Sequence, residues 1–145
     1  MPENVFADDP AVVDKRGVNV GLENRGKFSA GVVPNLLGER FARFENVPLA
    51  MRGIARDFRS KINKADDNNQ DLTVGSYFNT FNPSDDNAPR LKEFEELTGK
   101  KAGDKLNIND MQNIMNVQAK YEAGIRNVPA SVQNAVLSTV DIDDD

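Results

Sequence analysis

The stretch DDNNQDLTVGSYF, from Asp66 to Phe78, decides how the rest of this 145-residue sequence is interpreted. It places six acidic and amide side chains in succession and then turns at once into an apolar run. Asn and Asp favour turns and helix ends, because their side chains hydrogen-bond to nearby backbone. The same oxygen atoms also suit a hard cation such as calcium. The stretch is therefore either a polar turn between two helices or a cation-binding loop.

Apolar residues recur at helical spacing on both sides of this stretch. Spacings of three and four positions predict a long helix before it and a short helix after it. The long stripe is Val47, Met51, Ile54, Phe58 and Ile62, and the short one is Val74, Tyr77, Phe78 and Phe81. Similar stripes predict three further helices, over residues 91–97, 111–125 and 132–140.

The first third of the chain has a different pattern. Proline and glycine interrupt every short apolar pair over residues 1–33, which predicts a flexible N-terminal arm. The piece GVNVGL, Gly17–Leu22, has extended character, but the pattern offers it no partner strand. After Pro34, the spacing of Leu37, Phe41 and Phe44 predicts another short helix.

These patterns predict an all-α fold of five or six short helices. The predicted organisation is a flexible arm at 1–33, a helical domain at 34–140 and an acidic tail at 141–145. A chain of 145 residues can bury a sizeable single core without disulfides.

Composition excludes several classes of function. The net charge is -5, from 23 acidic and 18 scattered basic residues, so the overall field repels nucleic acid. The absence of cysteine and histidine removes thiol nucleophiles, disulfides and zinc clusters. No apolar run approaches the ~20 residues of a membrane span, and the N-terminus lacks a signal-peptide pattern. We expect a soluble protein without membrane insertion, cytoplasmic or exported without a cleaved signal peptide, and the compartment stays open.

Two segments of the sequence share one pattern. KADDNNQDLTVGSYF at 64–78 and KKAGDKLNINDMQNI at 100–114 each lie between predicted helices, and Leu72 and Leu106 are 34 positions apart. This arrangement resembles a pair of EF-hands, helix-loop-helix modules, over about residues 47–123. The resemblance implies that the two loops lie side by side, joined by a two-strand clasp at Leu72 and Leu106.

The first loop offers candidate ligands for calcium. A competent loop supplies oxygen atoms at alternate residues, a glycine at the bend and a closing glutamate. This loop lacks the glycine and has Ser76 or Tyr77 at the closing position. The candidate ligands are Asp66, Asp67, Asn68, Asn69 and Asp71. The alternative is that these residues end one helix and cap the next, and both interpretations stay open.

The second loop has less metal-binding character. Lys101, Gly103 and Lys105 stand where the resemblance implies acidic ligands, and two ammonium groups repel a divalent cation. We expect this loop to be metal-free. Asn109 or Asp110 is instead predicted to cap the following helix by accepting backbone N–H bonds.

Aromatic and methionine side chains provide a candidate partner surface. A dense group at Tyr77, Phe78 and Phe81 and the adaptable thioethers of Met111 and Met115 are the candidate contacts. The alternative is that all of them pack in the core. The carboxylates around Glu93 lie on predicted exposed faces, so no catalytic pair is indicated.

We therefore expect a non-catalytic protein-binding module on a pseudo-EF-hand scaffold, with a composition compatible with an exported bacterial protein or effector. One alternative is a weak calcium-binding protein that uses the loop at 66–77, calcium being the one cofactor considered. Another is a self-assembling structural subunit. The sequence leaves the oligomeric state open.

Overall fold

The helical part of the molecule begins at Val47. The computed structural model describes residues 13–14, 17–19, 29–34, 40–44, 47–81 and 86–142, with side chains over 47–81 and 86–140. Between 47 and 142, the described residues form five α-helices and one 3-10 turn. They are α1 (Val47–Asp67), α2 (Val74–Phe81), α3 (Ala88–Thr98), the 3-10 turn (Ile108–Asp110), α4 (Met111–Ala123) and α5 (Ala130–Ile142). The predicted helical class is confirmed for this part of the chain.

A four-stranded antiparallel sheet precedes the helices. Its strands are β1 (Val13–Asp14), β2 (Gly17–Asn19), β3 (Ser29–Pro34) and β4 (Arg40–Phe44), in the spatial order β1-β2-β4-β3. The backbone register places Val18 opposite Phe44 and Val33 opposite Phe41. Strand β4 is therefore central, with β2 on one side and β3 on the other.

The predicted short helix through Leu37, Phe41 and Phe44 is wrong at Phe41 and Phe44, which lie in strand β4, and Leu37 lies outside the described residues. Three apolar residues are a weak helical signal, and an extended partner with high β-propensity, Val32–Val33 on β3, pairs with this segment instead. The missing partner for the Gly17–Leu22 piece is the same strand, since β2 pairs with β4.

The predicted flexible arm and acidic tail stay predictions. Of residues 1–33, the structure describes the strand residues alone, and the rest of the arm lies outside the described residues. Helix α5 continues to Ile142, so part of the predicted tail is helical, and residues 143–145 lie outside the described residues.

Helix α1 is the central element of the helical part. Its predicted inward stripe is confirmed, because Val47, Met51, Ile54, Phe58 and Ile62 are all buried. The stripe is continuous along one side of the helix because the apolar residues follow its 3.6-residue period. Helices α4 and α5 pack directly on α1, and α3 packs on α4.

Helix ends follow local sequence signals. Gly99 ends α3 and Gly124 ends α4, both in the left-handed conformation that glycine adopts without steric cost (φ of 77° and 65°). Pro89 lies in the first turn of α3, where its missing N–H group costs no helical hydrogen bond.

Polar contacts hold α5 against the other helices. The Gln133 side-chain oxygen accepts hydrogen bonds from Gln112 (2.8 Å) and Asn116 (2.9 Å) on α4. At the other end of α5, the Arg59 guanidinium donates to the Val140 carbonyl. No helix in the described part of the chain combines the length and apolar character that a bilayer crossing requires.

Two residues on α3 test this core assignment. Phe94 is fully buried against Phe78, with ring centroids 6.2 Å apart, whereas Leu97 is 55% exposed. We expect Phe94→Ala to lower the free energy of unfolding by about 3–5 kcal/mol, because it leaves a cavity. The matched variant Leu97→Ala should change it by less than about 0.5 kcal/mol. Urea unfolding followed by circular dichroism measures both, and equal losses would contradict the assignment.

Candidate functional site

The two loops meet through a short antiparallel bridge. Thr73 and Lys105 are its paired residues. The Leu106 N–H donates to the Leu72 carbonyl (2.8 Å), and the Val74 N–H donates to the Asp104 carbonyl (3.0 Å). The clasp predicted at Leu72 and Leu106 is thus present, and it joins the unit α1-loop-α2 to the unit α3-loop-α4.

The first loop begins with a helix-ending motif. Asn69 adopts a left-handed conformation (φ 53°), which Asn tolerates better than most residues. The Gln70 N–H then donates to the Ala65 carbonyl (2.8 Å), and the Asn69 N–H donates to the Asp66 carbonyl (3.1 Å). This pair of bonds is the Schellman arrangement, so Asn69 serves to end α1.

The start of α2 has all four of its first N–H groups paired. The second loop supplies two acceptors, since the Gly75 N–H donates to the Ala102 carbonyl (2.9 Å) in addition to the Val74 bond. Thr73 supplies the other two, its hydroxyl accepting from the Ser76 N–H (3.1 Å) and its carbonyl from the Tyr77 N–H (2.9 Å). Helix α2 therefore depends on the second loop for part of its N-terminal cap.

The candidate calcium ligands have other contacts or lie in solvent. Asp66 and Asp67 lie in the last turn of α1, and Asn68 and Asn69 form the turn that follows, all exposed. The exposed Asp71 carboxylate lies 3.5 Å from the Lys105 ammonium. Across the described residues, no three carboxylates are grouped as metal ligands. The calcium alternative stays a prediction from sequence.

The predicted closing position of the first loop is also engaged. The Ser76 hydroxyl accepts a hydrogen bond from the Thr73 N–H (3.0 Å) and lies 3.0 Å from the Thr73 hydroxyl. Tyr77, the other candidate for that position, is fully buried. The Ser76 hydroxyl is thus engaged by Thr73, and the Tyr77 hydroxyl is buried in the core.

The predicted capping after the second loop is confirmed in part: Asp110 is the N-cap residue of α4, although its side chain makes no cap hydrogen bond to that helix. Asn107 accepts a hydrogen bond from the Asn109 N–H (2.9 Å), and Asp110 accepts one from the Asn107 N–H (2.8 Å). The Asp110 carboxylate therefore accepts a backbone N–H bond as predicted, whereas Asn109 contributes its N–H as a donor. Asn107 is the N-cap of the 3-10 turn that precedes α4. The spacing of Asn107 and Asp110 is that of a capping box, which is the signal that sequence reasoning missed.

The predicted partner surface is largely interior. Tyr77, Phe78 and Met115 are fully buried, Met111 is 6% exposed, and Phe81 is partly buried at the edge of the core. Tyr77 packs edge-on to the Phe58 ring, with centroids 5.6 Å apart. The alternative that these side chains pack in the core is therefore correct for Tyr77, Phe78, Met111 and Met115, because α1 covers α2 and α4 on this side.

A buried polar network lies beneath these rings. The Arg90 guanidinium donates to the Gln118 side-chain oxygen and forms an ion pair with Glu122 (3.2 Å). Neither the Tyr77 hydroxyl nor the Gln118 amide nitrogen makes a hydrogen bond of good geometry to another described residue, although both are buried. Burial raises the pKa of Tyr77 well above 10.0, assisted by the Asp57 charge and opposed by the nearby Gln118 side chain.

The exposed aromatic residue of the helical part lies elsewhere. Tyr121 on α4 is 37% exposed, and its hydroxyl reaches Glu93 on α3 (3.4 Å). The Arg90 and Lys120 cations lie 5.5 and 5.6 Å from its ring centroid. Leu97, which is 55% exposed, lies one turn beyond Glu93 on the same side of α3. We call Glu93, Leu97, Lys120 and Tyr121 the α3–α4 face.

Sequence reasoning missed the α3–α4 face because it lacks a distinctive pattern. Tyr121 and Leu97 each fall within apolar stripes that predict burial. Only the way α3 packs on α4 leaves both side chains at the surface.

The chain was compared with protein-family models, with curated proteins and with solved structures, and none of them matches. The relationship to EF-hand proteins therefore stays a proposal based on the loop pattern. A function can be inferred only from the contacts and the exposed surface of the molecule itself.

The clasp predicts the effect of a small substitution in α2. A methyl group at Gly75 would lie 3.2 Å from the Ala102 carbonyl oxygen and 3.3 Å from its Cβ atom. We expect Gly75→Ala to lower the free energy of unfolding by about 1–3 kcal/mol, although helix propensity alone favours alanine by up to about 1 kcal/mol. Gly103→Ala, where nothing lies within 4 Å, is the control and should be nearly neutral. Stabilisation by Gly75→Ala in urea unfolding would show that the loops are not in close contact.

Because Tyr77 is buried, we expect the stability of the protein to depend on pH in the alkaline range. Its raised pKa means that, above pH 10.0, the unfolded chain loses this proton while the folded protein keeps it. Titration of Tyr77 therefore leaves the free energy of unfolding unchanged below that pH. Above it, this titration lowers the free energy of unfolding by about 1.4 kcal/mol per pH unit, as long as the folded protein keeps the proton. Urea unfolding between pH 8 and 11 should show a smaller loss in Tyr77→Phe than in Tyr121→Phe or wild type. An identical loss in all three proteins would contradict this role of Tyr77.

Proposed function

We propose that this chain is a non-catalytic protein-binding module built on an EF-hand-like scaffold. The scaffold part is supported by two helix-loop-helix units whose loops pair at Thr73 and Lys105. In each unit, the loop polar groups serve the protein itself: Asn69 ends α1, and Asp110 caps the chain before α4. Such a module holds its helices in place without needing an added ion.

The observation that carries the binding role is the α3–α4 face. It combines an exposed tyrosine on α4 with an exposed leucine on α3, and these two helices pack on each other. Tyrosine is enriched among the residues that contribute most to protein interfaces, because its rigid ring covers a large area and its hydroxyl stays hydrogen-bonded. Helices that pack on one another also present a preformed surface, which lowers the entropic cost of binding.

The chemistry of this face favours a protein partner. The Lys120 ammonium lies 2.5 Å from the Glu93 carboxylate, so both signs of charge border the apolar side chains. A mixed polar rim around an apolar centre is the usual anatomy of a protein interface. Nucleic acid would require a clustered cationic surface, whereas the chain carries a net charge of -5.

A non-catalytic role is supported by the chain's limited side-chain chemistry. The sequence has no histidine and no cysteine, so carboxylate, hydroxyl, amide and amine groups remain. The carboxylates of the α3–α4 face are paired with cations: Glu93 with Lys120, and the adjoining Glu122 with Arg90.

The test compares surface variants that leave the core intact. The double variant Leu97→Ser/Tyr121→Ala removes the apolar centre of the face, and Lys92→Ala, exposed on the same helix but off this face, is the control. Partners captured by wild type and control are identified by mass spectrometry, and their affinity is measured by calorimetry. We expect the double variant to bind the identified partner at least about tenfold more weakly.

Three outcomes would contradict the proposal. Equal affinity for the double variant would place the contact elsewhere. A molecular mass that rises with concentration in size-exclusion chromatography, and falls in the double variant, would identify the face as a self-assembly contact. Selective amide shifts over residues 66–75 that saturate below about 1 mM calcium would favour a metal-dependent protein.

A further inference from the structure

A lysine side chain lies inside the second loop. The Lys100 ammonium donates to the Asp110 carboxylate (2.6 Å) and to the Lys105 carbonyl oxygen (3.1 Å). The two acceptors come from opposite ends of the same loop segment, one from the bridge and one from the 3-10 turn. The loop is thus folded around a positive charge that belongs to the chain itself.

The negative partner of this charge is nearly buried. Asp110 is 7% exposed, and the same carboxylate oxygen that accepts from Lys100 also accepts from the Asn107 N–H (2.8 Å). A buried carboxylate without a cation is strongly destabilising, because the desolvation cost is not offset. Lys100 therefore supplies the charge that allows Asp110 to close the capping box.

We infer that the second loop is a cation site permanently filled by the Lys100 ammonium. A backbone carbonyl and a carboxylate are also the oxygen ligands that hard cations take from proteins. Here, a tethered ammonium occupies the position between them, so the loop is closed at every cation concentration. This inference is independent of the proposed binding function, since it rests on contacts within the loop.

The filled site controls the clasp between the two units. The bond from the Lys100 ammonium to the Lys105 carbonyl closes the stretch between these two residues. This stretch carries the Asp104 and Ala102 carbonyls, which accept from the Val74 and Gly75 N–H groups. If the loop opened, Val74 and Gly75 at the start of α2 would lose their acceptors. Lys100 is therefore a positioning residue for the junction between the units.

The competing interpretation is that Lys100 and Asp110 form an ordinary surface ion pair. The molecule contains an exposed ion pair with which they can be compared. The pair between Lys105 and Asp71 has side chains that are 55% and 69% exposed and a separation of 3.5 Å. The side chains of Lys100 and Asp110 are only 26% and 10% exposed. Exposed pairs contribute little because water screens them, whereas a charge-assisted bond to a buried carboxylate is stronger.

The test is chemical rescue of a truncated lysine. Lys100→Ala removes three methylene groups and the ammonium, which together correspond to n-propylammonium. Amide hydrogen exchange, measured by NMR, reports on Leu106, Val74 and Gly75 in the clasp, with Gln70 in the first loop as the internal reference. Lys101→Ala is the matched control, because Lys101 is exposed in the same loop.

We expect clasp amides to exchange at least about tenfold faster in Lys100→Ala than in Lys101→Ala, as loss of a charge-assisted bond implies. Propylammonium chloride should restore much of the protection, and sodium chloride at equal ionic strength or 1-propanol should not. Restoration by calcium chloride as well would also support a cation site.

A second pair of variants covers the case in which Lys100→Ala does not fold. Lys100→Met keeps most of the aliphatic stem and removes the charge, and Lys100→Met/Asp110→Asn removes both charges. We expect the double variant to exchange no faster than Lys100→Met, because no buried charge is left unpaired. Faster exchange in the double variant than in Lys100→Met, unchanged exchange in Lys100→Ala, or rescue by sodium chloride alone would each overturn the inference.

Discussion

The helical part of this protein depends on hydrogen bonds between two loop backbones. The Val74 and Gly75 N–H groups at the start of α2 donate to carbonyls of the second loop, and the Leu106 N–H donates to the Leu72 carbonyl. A helix of eight residues is too short to be stable alone, so these long-range bonds and the packing of Tyr77 and Phe78 hold α2 in place. Each unit therefore completes the other, and neither unit has all its polar groups satisfied by itself.

The same loops use their polar side chains for local structure. In the first loop, Asn69 takes the left-handed position that ends α1. In the second, Asp110 is held between the Asn107 N–H and the Lys100 ammonium. Segments rich in side-chain oxygen atoms can be interpreted as ion sites. Helix ends use the same side chains, because four backbone N–H or C=O groups at each terminus have no partner within the helix. This dual use explains how the two helix-loop-helix units are held together by internal contacts.

Burial and exposure divide the aromatic residues of the helical part into two groups. The Tyr77 and Phe78 rings pack edge-on in the core, with centroids 5.3 Å apart, and stabilise the junction of α1, α2 and α3. Tyr121 instead lies at the surface, near the Arg90 and Lys120 cations and beside the Glu93 carboxylate. The α3–α4 face thus combines exposed apolar side chains with the paired charges of Glu93 and Lys120.

By itself, the sequence determined the elements whose signals are local. The stripe of α1, the glycine ends of α3 and α4, and the pairing of the segments around Leu72 and Leu106 follow from periodicity and from the repeated loop pattern. Tertiary structure alone decided that residues 40–44 are a strand and that Leu97 and Tyr121 remain exposed. The physical reason is that periodicity reports which side of an element is apolar, whereas strand pairing, burial and the partner of a charge such as Lys100 depend on residues that are distant in sequence.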